Sequence, residues 1–190
     1  MVILTICGNI GSGKSTVAAE LKKRGYNVHQ EPVEEMQMLL SHFYKDMTRW
    51  AFSLQMKVLV LYSYIKKQTN VNKLHIVERS PLESKHISAQ QLRNQGLLSN
   101  IEFALYEDVY KEIGWAPDVI IYLRASPQVC ADRIYERGVE SCISTEHLTD
   151  LDDLYSTFSL STNKTIYEID ANQDEKQVLT SVLDVIKKYI

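Results

Sequence analysis

The sequence is poor in cysteine, proline and glycine, and it contains no long apolar run. Its three cysteines are odd in number and lack CxxC spacing, which excludes a disulfide framework and predicts reduced thiols in a cytoplasmic protein. No apolar stretch is long enough to cross a bilayer, and the apolar opening segment has no basic residues before it. We therefore expect neither a membrane anchor nor a secretory signal.

Strong positive charge is absent as well. The chain has 21 basic and 24 acidic residues, a formal net charge of −3, and no run of more than three basic side chains. This composition lacks the basic face that nucleic-acid binding requires, so we expect small-molecule ligands and no nucleic-acid partner. The 190 residues, 45% of them hydrophobic, suffice for one domain over positions 1–190, because no linker or repeat divides them.

Short apolar runs alternate with helical patterns along the chain. The runs, each predicted to be a buried strand, are 2–7, 26–30, 74–77, 119–123 and 165–169. The segments with helical periodicity are 13–23, 48–68, 81–94, 101–113, 127–137 and 174–189. This alternation predicts an α/β fold of three layers, with a five-stranded parallel sheet flanked by helices.

Ligands bind such sheets beyond the carboxyl ends of the strands. The charged residues that follow the predicted strands are Glu31, Glu78, Arg79, Arg124 and Asp170. We therefore expect the active site to collect at this edge of the sheet.

A glycine-rich loop follows the first apolar run and precedes the first helical segment. It fits the pattern GxxxxGK[ST] with Gly8, Asn9, Ile10, Gly11, Ser12, Gly13, Lys14 and Ser15, and Thr16 follows. Backbone N–H groups of such a loop converge on phosphate at a helix N-terminus. The pattern predicts binding of ATP and Mg²⁺, with Lys14 at the β- and γ-phosphates and the Ser15 hydroxyl on the metal.

The loop indicates a nucleotide but leaves the reaction open. A GTPase would also carry an Asn-Lys-x-Asp motif, whereas the chain has Asn-Lys-Thr-Ile at 163–166. A AAA-type motor would need a longer chain. The class that remains is a small-molecule kinase, and a non-catalytic ATP-binding regulator is the alternative from another class.

Charged side chains follow the second and third predicted strands. Glu31 precedes Pro32, which favours an extended backbone before it, and its carboxylate is either a solvated loop group or a general base for an attacking hydroxyl. Glu78 is either a ligand of Mg²⁺ or a proton acceptor. Arg79 either pairs with Glu31 and neutralises charge on the transferred phosphoryl group, or it forms a surface ion pair.

The chain resembles the deoxynucleoside kinases, the group of deoxycytidine, deoxyguanosine and mitochondrial-type thymidine kinases and the insect multisubstrate enzyme. The matching stretches, in family order, are 8–16, 31–34 (EPVE), 44–46, 50–51 with Gln55, 78–80 (ERS), 118–127 (DVIIYLRASP), 133–142 and 169–170. The resemblance implies ATP-dependent phosphorylation of the 5′-hydroxyl of a deoxynucleoside, in nucleotide salvage for DNA synthesis. It also implies a P-loop kinase fold and a homodimer.

The resemblance assigns the catalytic roles. By this similarity Glu31 is the base at the 5′-hydroxyl, with Arg79 beside it. Glu78 is a second catalytic carboxylate and, with Ser15, a ligand of Mg²⁺. Lys14 counts with the catalytic residues because it contacts the phosphate that is transferred.

The donor side is assigned in the same way. Arg133 and Arg137 lie four residues apart, hence on one helical face, and they resemble the lid that closes over ATP, here a short segment around 133–142. The alternative is a pair of helix-surface arginines that pair with neighbouring acids. The loop that resembles the border of the adenine contributes Asp170, Asn172, Gln173 and Asp174.

The deoxynucleoside contacts also follow from the resemblance. Tyr44 and Glu140 match the pair that hydrogen-bonds the sugar 3′-hydroxyl, and Gln55 matches the glutamine that hydrogen-bonds the base. A side-chain amide suits the edge of thymine, or of cytosine after a flip. The alternatives are a surface glutamine and ordinary half-buried tyrosines. The residues on the same helical face as Gln55 are Val58 or Leu59, and Tyr62.

Two substitutions bear on the choice of base. Tyr62 and Ser84 occupy the positions of the Arg/Asp pair that marks deoxycytidine preference, so we expect thymidine or mixed pyrimidine use.

The nearest alternative to a deoxynucleoside kinase is a nucleoside monophosphate kinase such as thymidylate kinase. That family usually carries an arginine before its Glu-Pro pair, whereas Gln30 stands here.

An apolar stripe runs along the helix predicted at 101–113. Its members are Ile101, Leu105, Val109 and Ile113. We expect the stripe to pack internally, and packing against a partner chain is the alternative.

Overall fold

A computed structural model describes residues 1–69, 73–138 and 143–190. The chain divides into two compact units. A sheet unit comprises the described residues of 1–31, 70–79 and 117–190, and a helical unit comprises 32–69 and 80–116. Glu140 and Cys142 lie outside the described residues, as does the end of the predicted lid at 139–142.

The sheet unit contains five strands, which all pair in parallel. They are β1 (Val2–Cys7), β2 (Val28–His29), β3 (Leu74–Glu78), β4 (Val119–Arg124) and β5 (Thr165–Asp170). Their order is β2-β3-β1-β4-β5. The predicted five-stranded parallel sheet is therefore confirmed, with β1 in its centre.

Helices lie between these strands along the chain and after the last of them. In chain order they are α1 (Lys14–Lys23), α2 (Val33–Lys45), α3 (Met47–Gln68), α4 (Pro81–Ser84), α5 (Gln90–Asn94), α6 (Asn100–Ile113), α7 (Pro127–Glu136), α8 (Thr145–Ser161) and α9 (Glu175–Ile186). A π-helical turn (Lys85–Ala89) joins α4 to α5, and a 3₁₀ turn (Lys187–Tyr189) follows α9. None of the helices described in the structure is both long and apolar enough to cross a membrane.

The core of the sheet unit forms on β1 and its neighbours. Every residue from Ile3 to Cys7 is buried, which is the pattern of a strand shielded on both faces. Val17 and Leu21 of α1 and Val182 of α9 join the same apolar cluster. Each such buried side chain contributes about 1.5–3 kcal/mol, so this cluster holds β1, and with it the loop that follows, in place.

The helical unit has its own core. Leu59 of α3, Ala89 of the π-helical turn, and Phe103 and Tyr106 of α6 are buried together. Local signals fix the ends of its helices. Asp46 accepts a hydrogen bond from the backbone of Arg49 at the start of α3, and Ser99 and Glu102 form a capping box on α6.

The structure corrects four details of the sequence analysis. The strand predicted at 26–30 shrinks to Val28–His29, because β2 is an edge strand that pairs only with β3. The helix predicted at 81–94 is interrupted by the π-helical turn. Helices α2 and α8 were not predicted. The stripe on α6 does not pack internally along its length, since Ile101 and Leu105 are 83% and 51% exposed.

Candidate active site

The phosphate loop leaves no room for side chains at two of its glycines. Gly8 and Gly11 have φ angles of 146° and 83°, which L-residues rarely adopt. A Cβ atom on Gly8 would lie 2.4 Å from the Leu123 carbonyl oxygen, and one on Gly11 would lie 2.6 Å from the Cys130 carbonyl oxygen. The loop thus packs against the end of β4 and against α7, and this packing requires glycine.

Lys14 is buried at the first turn of α1, with 5% of its surface exposed. Its Nζ donates hydrogen bonds to the carbonyl oxygens of Gly8 at 2.9 Å and Asn9 at 2.7 Å. The ammonium group therefore points at the centre of the loop, where the helix N-terminus adds positive potential. Asn9 itself has a structural role, because its side chain donates to the Leu148 carbonyl oxygen at 2.8 Å.

Ser15, Glu78, Glu31 and Arg79 form one connected cluster. The two oxygens of Glu78 accept hydrogen bonds from Ser15 Oγ at 2.5 Å and from the backbone N–H of Glu31 at 3.3 Å. Glu31 Oε2 in turn accepts a hydrogen bond from Arg79 Nε at 3.1 Å. Glu78 is 2% exposed, whereas the side chain of Glu31 is 25% exposed. Glu78 is thus enclosed by its partners, and Glu31 keeps access to solvent or a ligand.

Arg79 has an unusual backbone. It lies just after β3 with a φ of 65°, in the left-handed region that costs a non-glycine residue roughly 1–2 kcal/mol. Its backbone N–H donates to the Ile6 carbonyl oxygen at 2.9 Å, so the chain remains attached to β1 while it turns. The turn carries the guanidinium group to Glu31, which makes a strained backbone part of the site.

Strand order explains why these side chains meet. β2, β3 and β1 are adjacent in the sheet, and Glu31, Glu78 and Ser15 follow or end these three strands. Arg124 and Asp170 lie at the ends of β4 and β5, on the other side of β1. Because all five strands are parallel, their charged ends lie at one edge of the sheet as predicted. Within that edge, the hydrogen-bonded cluster draws on β2, β3 and β1, and Arg124 and Asp170 lie on the other side of β1.

Both arginines of the predicted lid line a cavity beside the phosphate loop. The cavity has a volume of about 370 Å³. Its polar lining side chains are Ser12, Thr16, Arg133, Glu136, Arg137, Gln173 and Glu175, and Gly13 lines it as well. Arg133 donates a hydrogen bond to the Gln173 carbonyl oxygen at 3.3 Å, which ties α7 to the loop after β5. The arrangement brings two cations and the helix N-terminus to one concave surface.

The other residues assigned to the adenine loop have structural partners. Asp170 accepts hydrogen bonds from the backbone and the side chain of Asn172, and these bonds lower the pKa of Asp170. Asn172 Oδ1 accepts from the Ser126 backbone at 2.9 Å, and Asp174 caps α9. Asp170 and Asn172 line a neighbouring cavity of about 350 Å³ with Arg124. Of the four predicted residues, Gln173 lines the cavity at the phosphate loop.

Gln55 occupies an uncommon position within the helical unit. Its side chain is 4% exposed, and its Oε1 atom has no hydrogen-bond partner in the described chain. A buried amide oxygen without a partner costs about 1–3 kcal/mol. This burial excludes the alternative of a surface glutamine on an amphipathic helix. Leu59, rather than Val58, is the fully buried neighbour on the same face.

The remaining predicted deoxynucleoside contacts in the described chain also lie in the helical unit. Helix α3 packs against α2, which carries Tyr44, and against α4, which ends at Ser84. Tyr44 is 46% exposed and Ser84 is buried. Tyr62 is fully buried with its ring edge-on to Trp115, whose indole N–H donates to the Tyr62 carbonyl oxygen at 2.9 Å. These contacts hold the Tyr62 ring within the helical unit.

Tyr155 is a site residue that the sequence analysis missed. Its hydroxyl donates to the Gly8 carbonyl oxygen at 2.8 Å and accepts from Arg79 Nη1 at 3.4 Å. Its ring stacks on Tyr122, with centroids 5.2 Å apart, and burial raises the pKa of the Tyr122 phenol. The signal that would have located Tyr155 is the apolar spacing of Leu148, Leu151, Tyr155 and Phe158 on α8.

Comparison with known proteins places this geometry in a family. A family model described as deoxynucleoside kinase matches residues 4–190. Kinase protein 029R of Invertebrate iridescent virus 3 is 36% identical over 98% of this chain and 96% of its own. The thymidine kinase of Ictalurid herpesvirus 1 is 28% identical over 97% and 86%.

A solved structure is similar to this chain over nearly its whole length. The deoxyadenosine kinase from M. mycoides with bound dATP has a TM-score of 0.84 and 27% identity, and the match covers 98% of this chain and 100% of that one. The likeness therefore extends over the sheet with its phosphate loop and over the helices. Because the family model spans nearly the whole sequence, this chain belongs to the deoxynucleoside kinase family.

Proposed function

We propose that the protein transfers the γ-phosphate of ATP to the 5′-hydroxyl of a deoxynucleoside, with Glu31 as the general base. The observation that carries this proposal is the cluster in which Ser15 of the phosphate loop contacts Glu78, Glu78 contacts Glu31, and Glu31 contacts Arg79. It connects the phosphate-binding residues to a carboxylate that is still accessible. Family membership supports the reaction class.

Glu31 is the better proton acceptor of the two carboxylates. Both oxygens of Glu78 already accept hydrogen bonds and its surface is 2% exposed, whereas Glu31 is a quarter exposed. Arg79 fixes the direction of the Glu31 carboxylate through the bond to Oε2. A base held in this way contributes typically about 10²–10⁴ in rate when it takes the proton of the attacking hydroxyl.

The donor residues follow from the phosphate loop. Lys14 now bonds to two loop carbonyl groups, and we propose that it moves to the β- and γ-phosphates when ATP binds. Arg133 and Arg137 line the same cavity as Ser12 and Gly13, and this supports the proposal that they offset charge on the transferred phosphoryl group. Each contact is stronger in a cavity than in bulk water, because the effective dielectric constant is lower there.

The residues at Ser15 suit Mg²⁺. The Ser15 hydroxyl and the Glu78 carboxylate are hard oxygen donors in direct contact, and Mg²⁺ prefers one or two such protein ligands together with water and phosphate oxygens. We propose that these two residues hold the ion. An ion bound there would neutralise negative charge on the phosphate groups. Glu78 would then serve the donor side, and Glu31 the acceptor side.

A variant of Gln55 tests the contact with the base. Gln55→Leu keeps the volume but removes the amide, so KM for pyrimidine deoxynucleosides is expected to rise at least about tenfold, while the unfolding midpoint stays unchanged or increases. The unfolding midpoint is not expected to fall, because the buried Oε1 atom has no hydrogen-bond partner in the described chain that the substitution would remove. Steady-state kinetics and thermal unfolding measure the two effects.

A matched control for Gln55→Leu is Gln68→Leu, which alters an exposed glutamine at the end of the same helix. An equal, small change in KM for all bases in the Gln55 variant, or a lowered unfolding midpoint, would reassign Gln55 to packing.

We propose a preference for thymidine or mixed pyrimidines. By the family resemblance, Tyr62 and Ser84 occupy the positions of the Arg/Asp pair that marks deoxycytidine preference. Measurement of ATP consumption with the four deoxynucleosides and dTMP tests both this preference and the reaction. We expect turnover with at least one deoxynucleoside and none with dTMP, because Arg79 is engaged with Glu31 and Gln30 replaces the arginine that would bind an acceptor phosphate. Turnover of dTMP alone would make the protein a monophosphate kinase.

We further propose that the protein acts as a homodimer in the cytoplasm. The exposed Ile101 and Leu105 on α6 are apolar surface that suits a partner chain. Cys7 and Cys130 are buried thiols, which suits a reducing compartment.

A further inference from the structure

Tyr155 stands at a junction within the sheet unit. Its hydroxyl lies 2.8 Å from the Gly8 carbonyl oxygen, to which it donates, and 3.4 Å from Arg79 Nη1, from which it accepts. The residue is 1% exposed although it lies on α8, far along the chain from both partners. A single phenol thus joins the phosphate loop to the arginine that orients Glu31.

We propose that Tyr155 is a positioning residue, which fixes the phosphate loop and the Arg79–Glu31 pair relative to each other. The proposal rests on the proposed role of Glu31 as the base. Tyr155 contacts a backbone carbonyl group and a guanidinium group. We therefore assign it to the placement of these groups and not to proton or phosphoryl transfer. It acts on the reaction through the placement of other groups.

On the donor side, Tyr155 keeps the Gly8 carbonyl group hydrogen-bonded. This oxygen accepts from Lys14 Nζ at 2.9 Å as well as from Tyr155. When Lys14 turns to a phosphate, the first of these bonds is lost, and a buried carbonyl group without any partner would be costly. Tyr155 supplies the bond that remains, so the loop can release Lys14 without a change in its backbone.

On the acceptor side, Tyr155 restrains the guanidinium group of Arg79. Nε donates to Glu31 while Nη1 donates to the phenol, so two edges of the planar fork are held at once. The backbone of Arg79 is strained, with a φ of 65°, and contacts on the side chain help to maintain it. Because small misplacements of reacting groups lower rates strongly, this restraint should affect turnover.

The aromatic stack supplies a matched control. The rings of Tyr155 and Tyr122 lie nearly parallel, at 14°, with centroids 5.2 Å apart. The Tyr122 hydroxyl faces Asp152, at 3.5 Å, rather than the phosphate loop or Arg79. Tyr122→Phe therefore removes a phenol oxygen from the same stack and leaves both bonds of Tyr155 in place.

The test compares Tyr155→Phe with Tyr122→Phe. For Tyr155→Phe we expect kcat to fall about five- to tenfold and KM for ATP to rise about threefold, with KM for the deoxynucleoside within about twofold of wild type. Tyr122→Phe is expected to keep all three constants within about twofold. Unchanged kinetics in Tyr155→Phe, equal losses in both variants, or a Tyr155→Phe protein that does not fold would each overturn the proposal.

A double-mutant cycle tests the route through Arg79. If Tyr155 acts by restraining Arg79, then Tyr155→Phe introduced into Arg79→Lys should lower kcat by less than about twofold, because the restraint is already lost. The same factor in both backgrounds would contradict this route.

Glu31→Gln separates the role of Tyr155 from the proposed function. If Glu31→Gln leaves kcat unchanged, the proposed function fails. A large loss in Glu31→Gln together with normal Tyr155→Phe kinetics removes only the role of Tyr155.

Discussion

Replacement of Glu31 by glutamine is expected to lower kcat by at least about 10² while deoxynucleoside binding stays within a few-fold of wild type. The amide has the same shape as the carboxylate and still fills its place beside Arg79. It cannot accept the proton of the attacking hydroxyl. The loss should therefore appear in turnover rather than in KM, and single-turnover kinetics with saturating ATP would measure it.

The structure makes this prediction specific to position 31. Glu31 is the acidic residue of the cluster that combines partial exposure with a fixed orientation, since Arg79 Nε lies 3.1 Å from Oε2. Glu35→Gln is the matched control, because it makes the same chemical change at an exposed residue in the first turn of α2. The control should turn over normally. If Glu78→Gln abolished turnover and Glu31→Gln did not, the roles of the two carboxylates would be reversed.

Replacement of Lys14 by alanine is expected to lower ATP-dependent turnover by roughly 10²–10³ with every deoxynucleoside. The reason is that Lys14 serves the phosphate donor, which is common to all acceptors. Its burial and its two bonds to loop carbonyl groups place the ammonium group where phosphate must bind. Turnover measured with each of the four deoxynucleosides, together with calorimetric binding of the nucleoside alone, separates donor from acceptor effects.

Lys22→Ala is a suitable control for Lys14→Ala, because Lys22 is exposed in the last turn of the same helix. The Lys14 variant should remain folded, since Tyr155 still donates to the Gly8 carbonyl oxygen. A loss confined to one deoxynucleoside would place Lys14 on the acceptor side and contradict the account of the phosphate loop.

Most of the sheet and its loop could be predicted from the sequence. The five apolar runs are distinctive, and the glycine pattern identifies the loop because its geometry tolerates little else at Gly8 and Gly11. The meeting of Glu31 with Glu78 follows from the rule for carboxyl ends of parallel strands. The position of Arg124 and Asp170, across β1 from the cluster of Glu31 and Glu78, could not be predicted. It depends on the strand order, which places β4 and β5 beyond β1.

The sequence analysis missed helices α2 and α8 for different reasons. Helix α2 has apolar residues at helical spacing, namely Val33, Met36, Leu40 and Phe43, but Met36 is its one buried residue, so the stripe contributes little to a core. Helix α8 is rich in serine, threonine and aspartate, which are weak helix formers, and they obscure an apolar stripe that is present. Tyr155 lies in that stripe, and its contact with Gly8 joins residues 147 positions apart. No local pattern indicates such a contact.

The central claim is that the phosphate transferred from ATP ends on the 5′-oxygen of a deoxynucleoside. Proton-coupled ³¹P NMR of the purified product of the preferred acceptor tests it directly. We predict a phosphorus signal split by both hydrogens of the 5′-carbon, and its absence when a 5′-deoxy analogue replaces the acceptor. A signal split by the single hydrogen of the 3′-carbon, or a product formed from dTMP alone, would contradict the account.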